Sequence, residues 1–328
     1  MPSRWLTSPA RYAGFAWGVL AYNVATSAWG AYVRASGSGA GCGNHWPLCN
    51  GEVVPVSPTV ELLIELTHRS TAGIASLLVL ALLVWAFRAF PKGHAVRSGA
   101  IASTVMIVCE ALMGAALVKL GLVKDDASPA RAVAMGLHLV ITFFLLAALT
   151  VTAYAAQHAA EPASRRPRSP VLWSLAAPFA LLVAAATTGA IAALGDTLFH
   201  AQTLSEGMAQ DANATAHLFL RLRALHPVFA GLAAVAVLAS ASVVVAMRPS
   251  PQVARAARVV RVVVTAQVVA GVMNLLLLAP IAMQIVHLVL ADTLWIVLVV
   301  LGLAALGAGE EPERGPDVAT PPLRSPAL

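Results

Sequence analysis

The chain has 328 residues, of which 59% are hydrophobic and 11% charged, and its mean hydropathy of +0.79 excludes an ordinary soluble domain. Its formal net charge of +6 is confined largely to alternate connections between apolar runs, which argues against a nucleic-acid-binding surface. The composition therefore indicates an all-α membrane protein that crosses the lipid bilayer several times.

Apolar runs of membrane-spanning length recur along the whole chain. Each is longer than the roughly 20 residues that a helix needs to cross the hydrocarbon core. They predict eight transmembrane helices, and the boundary between the last two depends on Pro280 alone. In chain order, the predicted helices lie at about residues 12–33, 61–87, 98–120, 132–154, 170–194, 214–246, 254–279 and 281–306.

The basic residues predict the orientation of these helices. Lys and Arg cluster in alternate connections, whereas the connections at 35–60 and 195–212 and the one around Pro280 contain none. The 119–131 loop departs from this pattern, but Asp125 and Asp126 offset its basic residues. The positive-inside rule then predicts a multi-pass cell-membrane protein with both termini in the cytoplasm. We expect the first apolar run to be retained as a helix, because it is too long for a signal-peptide core.

An internal repeat relates the two halves of the chain. Residues 66–83 parallel residues 224–240, with an offset of 158 between His68 and His226. In the fourth helix of each half the offset falls to 149, because the first half has the longer loop at 119–131. The repeat predicts two pseudo-symmetric four-helix bundles. The expected parts are an N-terminal half at 1–157, a cytoplasmic linker at 158–169, a C-terminal half at 170–309 and a disordered cytoplasmic tail at 310–328.

Four histidines occupy matched places in these halves. His68, His138 and His287 each lie seven residues after the start of a helix that begins at the outer face, and His226 lies somewhat deeper. Seven residues correspond to a depth of roughly 10 Å. An ionisable side chain in the membrane is a functional-site hypothesis, and paired histidines at one depth suit heme iron. We therefore expect His68 and His138 to ligate one heme iron, and His226 and His287 another.

Other roles remain open for these histidines. Any single one could form a helix–helix hydrogen bond or belong to a proton relay. Zinc suits the set poorly, because no cluster of Cys or Asp accompanies it. Polar residues also occupy matched places in the third helix of each half, Glu110 in EALMG and Gln267 in QVVAG, and we expect these two mainly to hydrogen-bond between helices.

The two halves differ beside the first histidine of each pair. Glu65 precedes His68 by three residues, whereas Arg223 holds the equivalent place before His226. A carboxylate beside a heme can accept protons or stabilise a developing cation, and an arginine suits heme propionates. We therefore assign catalysis to Glu65 and the first half, and a redox or structural heme to the second. The alternative for Glu65 is an interfacial residue paired with Arg69.

Several residues near the outer face are further candidates. Arg34, Arg69 and Arg223 are candidates for contacts with propionates, although Arg34 and Arg69 could equally be snorkelling anchors. Cys42 and Cys49 lie in a loop on the oxidising side of the membrane, where a disulfide is expected. The alternative for the two cysteines is a reactive dithiol or a transient heme ligand.

Together, these motifs resemble the heme A synthase family. The resemblance covers nearly all eight helices and depends on GAYVRASGSG (30–39), CGNHWPLCNG (42–51), ELTHRSTAG (65–73) and the three later histidines. It implies that the C8 methyl of heme O is oxidised to a formyl group, giving heme A for terminal oxidases. It further implies a substrate heme site at Glu65, His68 and His138, and a heme b held by His226 and His287.

The resemblance also suggests partners and leaves a competing function. The expected partners are heme O, membrane lipid, the heme O synthase, an electron-transfer protein and a second copy of the chain. The alternative function is a non-catalytic di-heme b-type cytochrome, which shares the histidine pairs but gives Glu65 no role. The sequence leaves open the electron donor or acceptor, the source of the formyl oxygen, and whether His68 and His138 both ligate iron during turnover.

Overall fold

The protein is described by a computed structural model covering residues 8–53, 55–158 and 169–307, and the regular structure in these ranges is helical. Nearly all of the predicted linker and the whole predicted tail at 310–328 lie outside the described residues. In chain order the helices are α1 (Pro9–Ala35), α2 (Val60–Ala89), α3 (Ala95–Lys119), α4 (Pro129–Gln157), α5 (Ser169–Leu198), α6 (Leu204–Ala212), α7 (Leu218–Arg223), α8 (Leu225–Met247), α9 (Pro251–Leu276) and α10 (Ile281–Gly307).

Hydroxyl side chains start several of these helices. Thr59, Ser128 and Ser250 are the N-cap residues of α2, α4 and α9, and each side chain accepts a hydrogen bond from a backbone N–H of the first turn. Such a bond satisfies one of the four N–H groups that a helix start leaves without a partner. Pro129 and Pro251 follow two of these caps, where their missing N–H costs nothing. The local sequence therefore fixes where these helices begin.

Seven stretches within the described ranges are long and apolar enough to cross a membrane. They correspond to α2, α3, α4, α5, the combined segment Leu218–Met247, α9 and α10. The predicted first span, which matches α1, is not among them. This helix is 27 residues long, but polar side chains such as Asn23 and Ser27 reduce its mean hydropathy. The chain is thus an all-α multi-pass membrane protein with seven candidate spans.

The span predicted at 214–246 is confirmed as one candidate membrane-spanning segment, Leu218–Met247, and the structure adds a break within it. Helix α7 ends at Arg223 and α8 begins at Leu225, with Ala224 between them. Pro227 explains the break, because it has no N–H to donate to the carbonyl of Arg223 and its ring would clash there. Pro227 instead lies in the first turn of α8, where a missing donor is tolerated.

Helix α6 was not predicted at all, because its residues are polar. Its N-terminus nevertheless has the sequence of a capping box. The Thr203 side chain accepts from the N–H of Glu206 at 3.2 Å, and the Glu206 carboxylate accepts from the N–H of Gln202 at 2.7 Å. The predicted boundary at Pro280, in contrast, is confirmed, since α10 begins at Ile281.

The long helices pack as two sets of four. Helices α1 to α4 contact one another around one buried core, and α5, α8, α9 and α10 surround a second. The sets meet where α4 contacts α5 and α10, and where α1 contacts α10. At this interface the indole N–H of Trp295 donates to the carbonyl of Phe143 at 2.6 Å, and their rings stack with centroids 4.6 Å apart. The two sets are therefore joined by a specific contact.

Close packing of α3 against α4 depends on Gly99. A Cβ at this position would lie 2.4 Å from the Thr152 hydroxyl oxygen and 3.3 Å from the Thr152 Cα. We predict that Gly99→Ala lowers the stability of the purified protein by about 1–3 kcal/mol, because the helices must separate to accept the methyl group. The thermal midpoint in detergent provides the measurement.

Gly114 on the same helix is the matched control, because a Cβ there meets nothing within 4 Å. Gly114→Ala should leave the thermal midpoint unchanged or raise it slightly. Equal midpoints for the two variants would contradict the close packing at Gly99.

Candidate functional site

His226 and His287 face each other across the second helix set. Their ring centroids are 6.2 Å apart and the ring planes are nearly perpendicular, at 87°. A metal–imidazole bond is about 2.0 Å long, and the distance from the bonded nitrogen to the ring centre adds about 1.1 Å on each side. Two imidazoles sharing one metal ion therefore have centroids about 6 Å apart. The observed centroid spacing is close to this value.

Hydrogen bonds orient the His226 ring. Its Nδ1 donates to the carbonyl of Ala185 on α5 at 3.0 Å. This bond places the proton on Nδ1 and leaves Nε2 as the nitrogen with a free lone pair. Ligand histidines in metal sites commonly donate their other nitrogen to a backbone carbonyl in this way. The His226 ring is thus fixed in the tautomer that a metal ligand needs.

The His287 ring has incomplete hydrogen bonding. The Gln267 amide on α9 donates to His287 Nε2 at 3.3 Å, so it occupies a ring nitrogen that a metal could otherwise take. His287 Nδ1 and Gln267 Oε1 are buried without a hydrogen-bond partner in the described part of the chain. Buried polar atoms normally have partners, so this cluster fits a site that a bound group completes.

Three glycines lie directly against three of the four histidines. A Cβ on Gly30, Gly189 or Gly271 would lie 2.9 Å from Cε1 of His68, His226 or His287, respectively. Any larger residue would push the ring away, so glycine allows the imidazole to lie against the backbone of the neighbouring helix. Gly114, which matches Gly271 in the sequence repeat, makes no such contact.

The first histidine pair has different surroundings. His138 Nδ1 is in direct contact with Oε2 of Glu110 on α3, and the Thr142 hydroxyl donates to Glu110 Oε1 at 2.6 Å. His68 Nδ1 is buried and has no hydrogen-bond partner in the described ranges. His68 on α2 and His138 on α4 thus belong to the same helix set, and their pairing on one iron stays a prediction.

Glu65 is buried, with 3% of its surface exposed. Its Oε1 accepts from Arg69 Nε at 3.0 Å, and its Oε2 accepts from the backbone N–H of Cys42 at 2.8 Å. Arg69 also donates to the carbonyls of His45 and Leu48 in the loop between α1 and α2. The pairing of Glu65 with Arg69, which was the alternative interpretation, is therefore present. A catalytic role for Glu65 remains a prediction.

The loop between α1 and α2 is closed by a disulfide. Cys42 and Cys49 are bonded and fully buried, and they pack on Leu62 of α2. This pairing matches the predicted disulfide rather than a reactive dithiol. Because Glu65 and Arg69 bind the backbone of the same loop, the loop is held against the N-terminal part of α2, where His68 also lies.

The three arginines predicted to contact propionates all have protein partners. Arg34 donates to the Ala193 carbonyl and the Thr197 hydroxyl of α5 and to Gln284 of α10, at 2.9, 2.9 and 2.7 Å. It therefore joins the first helix set to the second. Arg223 forms ion pairs with Asp196 and Asp211, and Arg69 is paired with Glu65. Contacts between these arginines and heme propionates remain predictions. Each arginine would have to give up some of its present protein partners to make them.

One buried acid escaped the sequence analysis. Asp292 on α10 lies five residues after His287 and is fully buried. The Ser27 side chain of α1 is a hydrogen-bonding neighbour, and Glu110 of α3 lies within electrostatic range. The rule that singled out the histidines, an ionisable residue within an apolar run, also applies to Asp292.

Comparisons with known proteins give a family match and two kinds of similar protein. Residues 13–299 match the family model COX15-CtaA, described as cytochrome oxidase assembly protein. Protoheme IX farnesyltransferase of Thermus thermophilus is 46% identical over 300 residues, covering 92% of this chain and 49% of that protein.

Shorter matches come from proteins named heme A synthase. Those of Geobacillus kaustophilus and Bacillus mycoides are 48% and 47% identical over 92 residues, which is 28% of this chain and 29% and 30% of theirs. The chain thus spans about half the length of the Thermus relative, and the shorter aligned segments cover under a third of the other two proteins. Because the family model covers most of the chain, including all four site histidines, the chain belongs to the COX15-CtaA family.

Proposed function

We propose that this chain is a heme A synthase, which oxidises the C8 methyl of heme O to a formyl group and so supplies heme A to terminal oxidases. Membership of the COX15-CtaA family over residues 13–299 carries the proposal, and the 6.2 Å spacing of the His226 and His287 rings is compatible with a bound heme. The 92-residue segments that are 48% and 47% identical to two proteins named heme A synthase support the same function.

The second helix set is proposed to hold heme b. Its ligands would be His226, which is oriented by the Ala185 carbonyl, and His287, which the Gln267 amide would have to release. When bound, heme b supplies one-electron transfer. The buried atoms without partners around His287 and the glycines against both rings are consistent with a site shaped for such a group.

The first helix set is proposed to bind the substrate, heme O, between His68 and His138. His138 Nδ1 is held by Glu110, so Nε2 remains to approach the iron. Glu65 lies one turn before His68, with its two oxygens fixed by Arg69 and the Cys42 N–H. A carboxylate held in this way suits electrostatic stabilisation of positive charge at the reacting carbon better than free movement to collect a proton.

We also propose the predicted topology for the whole chain: eight crossings that include α1, two pseudo-symmetric bundles and both termini in the cytoplasm. The Gly30–His68 and Gly189–His226 contacts support the pseudo-symmetry, because both members of the second pair follow those of the first by nearly the same number of residues. The alternating placement of Lys and Arg supports the orientation.

The heme O synthase is the proposed partner. The Thermus relative bears the name of a protoheme farnesyltransferase, and about half of its length is similar to this chain. Attachment of an isoprenoid tail to protoheme is the reaction that must supply heme O. A single polypeptide that combines the two parts would pass the apolar product directly to the next site, without a soluble carrier.

The defining experiment is identification of the heme after expression of the full chain beside a source of heme O. A formyl-bearing heme, detected by chromatography and mass, is the expected product. Unchanged heme O bound to the protein would favour the di-heme cytochrome instead. If the chain instead converted protoheme into a farnesylated heme in cells without the heme O source, it would be a farnesyltransferase.

Glu65 should be required for turnover rather than for binding of heme. We predict that Glu65→Gln retains both hemes but lowers formyl product by about 100-fold or more, since the charge facing the reacting carbon is lost. The oxygen of the new amide group can still accept the hydrogen bond from the Cys42 N–H. The loop between α1 and α2 should therefore stay in place. Glu61→Gln, one turn earlier and exposed, is the control and should keep its activity. Full activity of Glu65→Gln would remove the catalytic assignment.

The glycine contact gives a test of the heme b site that leaves its ligands unchanged. Gly189→Ala should displace the His226 ring and weaken the absorbance of low-spin heme b. His226→Ala should abolish this absorbance. Gly231→Ala on α8 is the matched control, because its new Cβ meets nothing within 4 Å. Heme content per protein and the reduced-minus-oxidised spectrum are the measurements. A normal spectrum in His226→Ala would exclude this residue as a ligand.

A further inference from the structure

The two helix sets differ in the side chain that stands beside the second histidine of each pair. Glu110 on α3 faces His138 of α4, and Gln267 on α9 faces His287 of α10. These two side chains hold matched positions in the sequence repeat. One carries a carboxylate and the other a neutral amide, so a difference in charge distinguishes two otherwise similar places.

The Glu110 carboxylate is held in place at both oxygens. Its Oε2 contacts His138 Nδ1, and its Oε1 accepts from the Thr142 hydroxyl at 2.6 Å. The same hydroxyl lies 3.0 Å from the His138 carbonyl, one turn earlier on α4. Glu110 is largely buried, with 12% of its side chain exposed. Its charge is therefore fixed beside the imidazole and little screened by water.

A carboxylate that binds the outer nitrogen of a ligand histidine makes the other nitrogen a stronger electron donor. A stronger donor, and a nearby negative charge, stabilise ferric iron relative to ferrous iron, so they lower the reduction potential. Hydrogen bonding and charge around the ligands are established means of tuning heme potentials. Gln267 brings no charge to His287, whichever ring nitrogen it faces.

We propose that Glu110 is a positioning residue that acts through His138 to give the first-site heme a lower reduction potential than the second-site heme. This inference rests on the proposed function, in which His138 ligates the substrate iron. With both hemes bound, such a difference would favour electron transfer from the first site to the second. Glu110, which the sequence pattern assigned to helix–helix bonding, would then favour that direction of electron transfer.

The test measures reduction potentials in the full chain with both sites loaded, by spectroelectrochemical titration. Glu110→Gln should raise the potential of the first-site heme and leave that of heme b unchanged. Glu110→Asp, which keeps the charge on a shorter side chain, should give a smaller rise. Gln267→Glu is the matched control and should leave the first-site potential where it is in the parent chain.

Each outcome separates this inference from the proposed function. A parent chain that binds no heme at its first site contradicts the proposed function itself. First-site heme whose potential is the same in Glu110→Gln and in the parent overturns the inference alone. If Glu110→Gln loses the first-site heme and Glu110→Asp retains it, the potential in Glu110→Asp decides: a rise above the parent value supports the inference, and an unchanged value overturns it. Loss of that heme in both variants overturns it, because the shape of the side chain then decides.

Discussion

The structure depends on the cost of placing imidazole rings in a hydrocarbon environment. A polar ring buried among apolar helices must be held by specific partners or by a bound metal. Here each site histidine is fixed by one or two neighbours: a glycine surface, a backbone carbonyl or a side chain from the next helix. These contacts set which helices must be adjacent. Close packing of the helix sets then follows from small residues such as Gly99.

Charge is used in opposite senses beside the first histidine of each set. In the first set, Glu65 and Arg69 of α2 bind the disulfide-closed loop. In the second, Arg223 precedes His226 and pairs with acids of α5 and α6. The charge at the position three residues before the histidine is reversed, yet both arrangements hold a neighbouring segment near a histidine. The same local task has thus been met by two different sets of side chains.

Much of the helical fold could be predicted from the sequence, because the length of an apolar run is a local property. The repeat also predicted that His226 and His287 lie together, as the structure shows, while their role as iron ligands stays a prediction. What could not be predicted depends on neighbours distant in the chain. The sequence alone does not reveal that Arg34 reaches α5 and α10, or that Glu110 contacts His138 rather than another helix backbone. Asp292 was missed for a different reason, because the repeat matches it with Phe143, so it is not part of a matched polar pair.

Two contacts tie the helix sets together across their interface. Arg34 binds groups on α5 and α10, and Trp295 donates to Phe143 within the core. A hinge-like opening of one set from the other would break both contacts and leave their polar atoms without partners. We therefore expect the two sets to move as a single unit, with the distance between His68 in one set and His226 in the other held constant.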